Sequence, residues 1–337
     1  MLEIDGSQGE GGGQVLRTAL SLSCVLEKPV KINNIRSGRT KPGLQAQHLS
    51  VCHLLSEICG AKMECAVLGS TELSFSPGKI SFGAYKFNIG TAGSCALLLQ
   101  AILPVLLHAK GKSTVEITGG THVSHSPTFE YFSEVFLPTA RKFGVRAKAQ
   151  MQRVGFYPKG NGNVLLEVEP SQLAGCEFPS VQASSVQYSI ISASLPSHVL
   201  QREEAEVKKA FPAAKGTARA VEADCAGNAL TIWSGTFGAS ALGERGKPAE
   251  KVAQEACAVL AREMASEVRH GAGSQRTGAL VDMHLADQLL IYSALANGKS
   301  EFSTSEISSH LRTNADVIRA MTGRNIILGN DRVVSVE

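Results

Sequence analysis

Residues 93–118 read GSCALLLQAILPVLLHAKGKSTVEIT, an apolar run rich in small residues followed by an alternating run that begins at a lysine. The first run predicts a helix over residues 93–108, and the second predicts a strand over residues 111–118. A Gly-rich polar loop and a second helix, over residues 128–143, follow before another strand begins. The sequence thus predicts a unit of helix, strand, loop, helix and strand.

The same order of elements occurs twice more in the chain. An N-terminal unit has predicted helices at residues 12–26 and 44–58, with a strand at residues 28–33 between them. A C-terminal unit has predicted helices at residues 284–296 and 311–321, again with a strand between them. We therefore interpret the chain as three copies of one repeat.

The spacing of the lysines that begin these strands locates an insertion. Lys28 and Lys112 are 84 residues apart, whereas Lys112 and Lys299 are 187 residues apart, and the excess of 103 residues is the size of a small domain. We expect this domain to be inserted before the third repeat. The predicted division is a large discontinuous domain at residues 1–180 and 273–337 and a small inserted α/β domain at residues 181–272.

The predicted fold class is α/β (α+β), because strands and helices alternate along the whole chain. The insert has its own predicted strands at residues 185–193 and 229–234. Its predicted helices lie at residues 201–210 and 247–268. These elements predict a compact module that leaves the large domain and returns to it.

The composition is that of a globular protein with little net charge. Of 337 residues, 43% are hydrophobic, which excludes a disordered or collagen-like chain. The net charge is only +3, so any polyanion would bind at a local basic site rather than on a basic face. The longest apolar run, residues 95–107, contains Gln100 and Pro104 and is too short to span a bilayer. The N-terminus lacks the features of a signal peptide. We expect a cytoplasmic protein without membrane contact.

Eight cysteines stand at irregular spacings, and no CxxC pair occurs among them. This pattern argues against a zinc site and favours free, buried thiols. A structural disulfide stays open as an alternative, as in a thermophile.

A Gly-rich loop precedes the first predicted helix. Residues 6–13 read GSQGEGGG, and such a loop at a helix N-terminus offers backbone amides to a phosphate. The alternative is a tight turn between a strand and a helix, since neither the Walker A nor the dinucleotide pattern is present. Glu10, a carboxylate among phosphate-binding amides, is consistent with a divalent metal between them.

A basic loop at residues 36–43, RSGRTKPG, follows the first predicted strand. It is either a solvated turn or an anion site, and the proximity of Arg17, Gln47 and His48 in sequence favours the anion site. Gln100, within the apolar run, is either a satisfied core amide or a residue of the same site.

Among nine histidines, His310 is the strongest candidate for chemistry. It stands at the start of a predicted helix, where the helix dipole keeps an imidazole neutral and attracts a phosphate. A capping or core role for His310 stays open. His122 and His125 have no third ligand near them, which favours surface or supporting roles over a metal site. His284 is interpreted as structural.

Together these stretches resemble the RNA 3′-terminal phosphate cyclases. The motifs match nearly from end to end of the chain and in the family's order, and only the predicted insert matches poorly. One departure is at residues 160–162, where Gly-Asn-Gly replaces a run of three glycines. The matching stretches are residues 5–17 (DGSQGEGGGQVLR), 35–44 (IRSGRTKPGL) with Gln47 and His48, 90–94 (GTAGS), 155–160 (GFYPKG), 285–289 (LADQL) and 310–314 (HLRTN).

The resemblance implies both a fold and a reaction. The fold would be three repeats, each a four-stranded sheet with two helices, plus a small α/β insert. The enzyme would be a ligase that ATP adenylylates on His310, that passes AMP to an RNA 3′-phosphate, and that releases AMP as the 2′-hydroxyl closes a 2′,3′-cyclic phosphate. The implied cofactors are ATP and a divalent metal, Mg²⁺ or Mn²⁺, and the implied partner is RNA with a 3′-phosphate end. A homodimer stays open.

The resemblance also implies individual roles. Tyr131 would offer adenine an aromatic face, and Asp287 would accept from its exocyclic amine. The implied sets are His310, Arg17 and Arg39 in catalysis, Glu10 as the metal ligand, and Gln14, Gln47, Gln100, Pro127, Tyr131, Asp287 and Gln288 in the nucleotide site.

Three other functions compete with the cyclase. A non-catalytic ribosome-biogenesis scaffold of the same fold would lack the nucleophilic histidine and parts of the phosphate site, which are present here. An enolpyruvyl transferase would need two domains of similar size, against which the 103-residue excess argues. A ligase with a lysine nucleophile is disfavoured because no K-x-D-G stretch occurs.

Overall fold

A computed structural model of the chain describes residues 1–9, 11–178, 184–269 and 276–337. Glu10 and both predicted domain junctions, at 180/181 and 272/273, lie outside the described residues, so the division into two domains stays a prediction. Within the described ranges, no helix is both long enough and apolar enough to cross a bilayer.

The first repeat forms a four-stranded sheet with two helices. The strand order is β1-β2-β4-β3, in which β1 and β2 are parallel and the other neighbours are antiparallel. This arrangement matches the predicted order of elements. The elements are β1 (Leu2–Asp5), α1 (Gly13–Leu26), β2 (Val30–Asn33), α2 (Ala46–Cys59), β3 (Lys62–Glu64) and β4 (Leu73–Ser76).

The second repeat has the same topology, with strand order β5-β6-β8-β7 and a parallel β5–β6 pair. Its second helix differs from the predicted helix over residues 128–143. It begins as a π-helix at Tyr131–Phe136, because Pro138 lacks the N–H for a regular α-helical bond. The elements are β5 (Ala84–Asn88), α3 (Cys95–Leu107), β6 (Ser113–Gly119), α4 (Leu137–Ala140) with a 3₁₀ turn at Arg141–Phe143, β7 (Arg146–Arg153) and β8 (Gly162–Glu169).

The inserted region has a sheet of its own, in the order β10-β9-β11-β12, and a separate apolar core. The helix predicted over residues 247–268 ends at Met264, and Glu267–Arg269 is a strand that pairs with Arg276–Gly278. Two strands, β10 and β12, were not predicted, because their small and polar residues do not alternate clearly. The elements are β9 (Gln187–Ala193), α5 (Ser197–Ala210), β10 (Lys215–Ala220), β11 (Gly227–Ser234), β12 (Phe237–Leu242), α6 (Ala249–Met264), β13 (Glu267–Arg269) and β14 (Arg276–Gly278).

The third repeat has three regular strands, in the order β15-β17-β16, rather than the four implied by the resemblance. The elements are α7 (Met283–Leu295), β15 (Ser300–Ser303), α8 (Ser309–Thr322), β16 (Ile326–Leu328) and β17 (Val333–Val336).

Among the described residues, the third repeat lacks a regular first strand. Two short segments, one on either side of the inserted region, take the place of that strand. Glu177 forms a parallel bridge with Glu301, and Val281 forms a parallel bridge with Thr304. The backbone N–H of Phe178 donates to Glu301 O, and that of Leu280 donates to Ser303 O. An insert at the predicted position would therefore interrupt the first strand of the third repeat, and the division into two domains stays a prediction.

The first helices of the repeats, α1, α3 and α7, contact one another, and α8 packs on both α1 and α7. Helix α3 is buried along most of its length, which explains why its sequence has no polar face. Gln100 is its one long polar side chain. The N-terminal halves of these helices consequently meet at the centre of the large domain.

The cysteines agree with the expectation of free thiols. All eight lie among the described residues, and none forms a disulfide. The Sγ atoms of Cys24 and Cys59 are 3.5 Å apart, the distance of a thiol hydrogen bond rather than of a covalent link.

We predict that Glu203→Gln stabilises the protein at pH 8 but not at pH 5. Glu203 is fully buried in the insert, Asn228 Nδ2 donates to its Oε2 over 3.1 Å, and burial raises its pKa to about 7. A carboxyl with a raised folded-state pKa contributes stability at low pH and loses it as the pH rises from about 4.5 to about 7. The variant should gain about 2–3 kcal/mol in urea unfolding at pH 8. Glu244→Gln, at an exposed site of the same region, should show no such gain; equal stability of Glu203→Gln and wild type at pH 8 would contradict the prediction.

Candidate active site

The converging helices bring polar side chains to one cavity of about 60 Å³. Helices α1, α3, α7 and α8 each contribute to its lining. Five of the polar lining residues come from three motifs that are distant in sequence, at residues 5–17, 285–289 and 310–314. The long polar or charged side chains that line it are Gln14, Arg17, Gln100, Asp287, Gln288 and Asn314.

A chain of hydrogen bonds joins three of the helices beside this cavity. Gln14 Nε2 donates to Asp287 Oδ1 over 2.5 Å, and Gln14 Oε1 lies 2.6 Å from His310 Nδ1. The amide of Gln14 can satisfy both neighbours in one orientation only, because a carboxylate accepts hydrogen bonds and does not donate them. The oxygen of Gln14 therefore faces His310.

This orientation of Gln14 fixes the tautomer of His310. An amide oxygen accepts only, so Nδ1 carries the proton and donates it to Gln14 Oε1. The ring lone pair then lies on Nε2. His310 is the second residue of α8, as the sequence predicted, and Ser308 caps that helix by accepting from Leu311 N. The result is an oriented imidazole at a helix N-terminus, the arrangement of an activated nucleophile.

Asn314 and Thr18 hold Asp287 in place. Asn314 Nδ2 donates to Asp287 Oδ1 over 2.9 Å, and Thr18 Oγ1 donates to Asn314 Oδ1 over 2.7 Å. Burial raises the pKa of Asp287, whereas His310, Gln14, Asn314 and Arg17 act in the opposite direction. The resemblance assigned this carboxylate to the adenine amine, but in the structure its Oδ1 already accepts from two amide donors of the chain.

Arg17 places a desolvated cation at the cavity. Burial lowers its pKa to about 10, against the attraction of Asp287, so the guanidinium keeps its charge at neutral pH. A buried cation of this kind favours an anionic ligand, because bringing a compensating charge to it recovers part of its desolvation cost.

Three side chains on the cavity wall have buried polar atoms without a hydrogen-bond partner in the described parts of the chain. They are Gln100 Nε2, Gln288 Oε1 and the hydroxyl of Tyr292. Buried polar groups are normally paired, and these atoms supply both donors and an acceptor. The cavity wall is thus suited to a polar ligand. Gln100 therefore lines the cavity, and its role as a site residue, one of the two alternatives that the sequence left open, stays a prediction.

Beside the cavity, the first turn of α1 contacts the start of α2 and the basic loop, and we call these contacting residues the rim. A Cβ added at Gly13 would overlap the ring of His48, and one added at Gly12 would lie 3.2 Å from Arg39 Nη2. Burial lowers the pKa of His48 to about 3, helped by Arg17 and Arg36. His48 Nδ1 accepts from Gln45 N over 3.1 Å, so Nε2 carries the proton and is a neutral donor beside α1.

Gln47 lies on the same rim, where its Oε1 accepts from Ser94 N over 3.2 Å. Not every cation of the basic loop faces the site. Arg36 Nη1 donates to the carbonyls of Lys41 (2.6 Å) and Gly43 (3.0 Å), and it therefore stabilises its own loop. The structure brings Arg39 to α1 and keeps Arg36 in the turn, and an anion site at Arg39 stays a prediction.

Tyr131 is not brought to the cavity. It is 4% exposed, its hydroxyl donates to Asp282 Oδ1 over 2.8 Å, and an added Cβ at Gly238 would lie 2.8 Å from its ring. Asp282 caps α7 through His284 N and Leu285 N. Tyr131 thereby joins the second repeat, the third repeat and the insert. Pro127 is half-buried in the preceding loop and does not line the cavity.

The structure gives no cluster of three metal-ligating side chains within its described ranges. Glu10, the predicted metal ligand, lies outside those ranges. His122 is buried, and its Nε2 lies 2.6 Å from Glu130 Oε2. Of the two roles left open by the sequence, this burial favours a supporting one over a surface one.

Sequence reasoning overlooked Asn314 and Thr18 as members of the site. Asn314 stands four residues after His310, a spacing that places both side chains on one face of a helix. That spacing was a usable signal. The contact of Thr18 with Asn314 spans 296 residues and had no local signal.

The chain was compared with known families and proteins. Residues 8–328 match the family described as RNA 3′-terminal phosphate cyclase. Proteins of that name from Archaeoglobus fulgidus (40% identical, 99% of each chain covered), Methanosarcina barkeri (42%, 93% of this chain and 92% of the other) and Methylococcus capsulatus (41%, 94% and 90%) are similar to it. A solved enolpyruvyl transferase, NikO from Streptomyces tendae, matches 99% of this chain and 47% of its own at 12% identity and a TM-score of 0.41, too low to support an argument.

We predict that Tyr131→Phe destabilises the protein. The substitution keeps the buried ring but removes the hydroxyl that donates to Asp282, and the loss of one such buried bond to a carboxylate costs about 1–3 kcal/mol. Chemical denaturation should show the loss. Tyr157→Phe, at a residue that is 76% exposed, is the control and should be neutral. If both variants unfold like the wild type, the hydrogen bond between the Tyr131 hydroxyl and Asp282 does not stabilise the protein.

Proposed function

The chain belongs to the RNA 3′-terminal phosphate cyclase family, and we propose that it uses ATP to convert an RNA 3′-phosphate into a 2′,3′-cyclic phosphodiester through a covalent histidine–AMP intermediate. The observation that carries the proposal is the hydrogen-bond chain from Asp287 through Gln14 to His310 beside the buried Arg17. Such an arrangement fits nucleophilic attack on an anion better than it fits passive binding.

In the first step, the Nε2 lone pair of His310 attacks the α-phosphorus of ATP. A P–N bond forms, the bond to the pyrophosphate oxygen breaks, and pyrophosphate leaves. The proton on Nδ1 stays on the ring and is held by Gln14 Oε1 while the imidazole acquires positive charge. Asp287 stabilises that charge through Gln14, in the manner of a triad.

In the second step, an oxygen of the RNA 3′-phosphate attacks the phosphorus of the bound AMP, and the P–N bond breaks to regenerate His310. In the third step, the vicinal 2′-hydroxyl attacks the activated RNA phosphorus, loses its proton and expels AMP. Activation is needed because a phosphate monoester would otherwise have to expel oxide. Covalent catalysis divides this difficult substitution into easier ones.

The phosphate groups would be held by cations and neutral donors around the first turn of α1. Arg17 lies within the cavity, and Arg39 and His48 lie on its rim. The guanidinium groups suit phosphate oxygens, and charge stabilisation is the main catalytic need of phosphoryl transfer. Gln47 uses its oxygen for Ser94, which leaves its amide nitrogen as a donor.

The nucleotide would be contacted by Gln100 and Gln288, whose unpartnered amide atoms face the cavity. We retain Pro127 as an adenine contact from the resemblance alone. We assign Tyr131 a structural role, because its hydroxyl is bonded to Asp282. Asp287 positions Gln14 through Oδ1 and, as a residue of the cavity wall, keeps the adenine contact that the resemblance implies.

A divalent metal bound to phosphate oxygens would neutralise charge on the nucleotide. The described residues fit such a metal only if the phosphates supply most of the ligands, since they hold no cluster of three carboxylate, histidine or cysteine groups. Glu10 is proposed as its protein ligand on the resemblance.

We predict that labelled ATP and Mg²⁺ or Mn²⁺ give a protein–AMP adduct that is labile to acid and stable to base, as expected of a phosphoramidate. His310→Ala should abolish the adduct, and chelation of the metal should suppress it. Formation of the adduct by His310→Ala would refute the nucleophile. Absence of the adduct from the wild type would favour the non-catalytic scaffold, the alternative function.

We further predict that Gln14→Ala slows adduct formation by about 10- to 100-fold, the range found when a metal-bound histidine loses the partner that orients it. The variant loses the acceptor that fixes the proton on His310 Nδ1. Its rate should also depend on pH differently from that of the wild type. The control is Gln150→Ala, at an exposed position on β7. An unchanged rate and pH profile in Gln14→Ala would remove the positioning role.

A further inference from the structure

Residues 155–160, GFYPKG, form a loop between β7 and β8 that the reaction scheme does not use. The loop is locked at both ends by glycine. A Cβ added at Gly155 would lie 2.5 Å from Gly119 O, and one added at Gly160, where φ is +71°, would lie 2.8 Å from Ala92 Cα. The N–H of Gly160 donates to Phe156 O over 2.7 Å and closes the turn.

The two aromatic residues of this loop point in opposite directions. Phe156 is 4% exposed, and a Cβ added at Gly227 of the insert would overlap its ring. Cys225 Sγ donates to the carbonyls of Phe156 (3.2 Å) and Tyr157 (3.4 Å). Tyr157 itself is 76% exposed. A rigid turn therefore presents a large aromatic face to solvent.

The loop does not line the cavity but packs against residues that contact its rim. Gly160 packs against Thr91 and Ala92, and two residues further along the chain Ser94 N bonds to Gln47 Oε1. Gln47 precedes His48, whose ring covers Gly13. Tyr157 is thus separated from His310 by the 90–94 loop and the start of α2.

The charges around Tyr157 suit a polyanion. Lys159, two residues further on, is exposed. The acidic neighbour Asp224 is paired with Arg153 and accepts from Asn161 Nδ2 over 2.7 Å, so its charge is already compensated. An exposed ring with a nearby cation is the arrangement that binds single-stranded nucleic acid, by stacking a base and contacting its phosphate.

We propose that Tyr157 stacks on a base of the single-stranded RNA upstream of the 3′-terminal nucleotide, with Lys159 contacting the adjoining phosphate. The inference rests on the proposed function, since it takes the RNA 3′ end to be at His310. Its position outside the cavity assigns Tyr157 to an upstream nucleotide and not to the terminal one. The contact depends on the π face and is therefore tolerant of base identity.

The test compares an oligonucleotide of about ten nucleotides with a nucleoside 3′-phosphate, both bearing the reactive phosphate. Tyr157→Ala should raise KM for the oligonucleotide by about tenfold or more, the range expected when one base loses an aromatic platform. It should leave kcat, the KM for the nucleoside 3′-phosphate and formation of the protein–AMP adduct unchanged. Tyr157→Phe should behave as wild type. Phe82→Ala, at an aromatic residue that is 55% exposed on the opposite edge of the same sheet, should also behave as wild type.

An unchanged KM for the oligonucleotide in Tyr157→Ala would overturn the proposal, and so would an equal rise for both substrates, which would place the ring at the terminal nucleotide. Failure of the proposed function is recognised separately, as a wild type that forms no adduct and no cyclic phosphate. In that case fluorescence anisotropy of the labelled oligonucleotide tests RNA binding directly. Weaker binding by Tyr157→Ala than by Phe82→Ala supports base stacking on Tyr157, and equal binding refutes it.

Discussion

The amide of Gln14 has one orientation that satisfies both of its neighbours, and the geometry of the site depends on it. Gln14 is on α1 of the first repeat, whereas Asp287 and His310 are on α7 and α8 of the third. The bonds form only if these helices pack with their N-terminal halves together. The repeats and their apolar first helices bring about that convergence. His310 is thus oriented by tertiary packing rather than by its own loop.

The inserted region supports the same geometry from outside. Asp282 begins α7 and accepts from Gly238 N of the insert and from the hydroxyl of Tyr131 in the second repeat. Burial raises the pKa of Asp282 to about 6 although four donors face it, so the junction is deeply enclosed. Helix α7, which carries Asp287, is therefore fixed at its N-cap by contacts with the inserted region and the second repeat.

Local sequence was sufficient for much of this architecture. The apolar periods located α1, α3 and α7, because that signal lies within one element, whereas the insert indicated by the lysine spacing stays a prediction. The position of His310 at a helix N-terminus was predicted for the same reason. The partners of Asp287 and Tyr131 could not be predicted, since a carboxylate or phenol in a family motif is equally suited to a ligand and to another side chain. Helix α6 was predicted too long because the alanine-rich run near Met264 gives no clear stop before the strand that follows.

The interrupted strand of the third repeat bears on how such a chain arises. The parallel bridges Glu177–Glu301 and Val281–Thr304 share one register, so that Glu177, Phe178, Leu280 and Val281 face residues 301–304 in turn, as four consecutive residues of one parallel strand would. Phe178 and Leu280 thus take consecutive places in the ladder. A module joined at such a point can be gained or lost in one genetic event without shifting the register of the sheet. Linking Phe178 directly to Leu280 would accordingly keep the register of the sheet and leave α7 and α8 in their order.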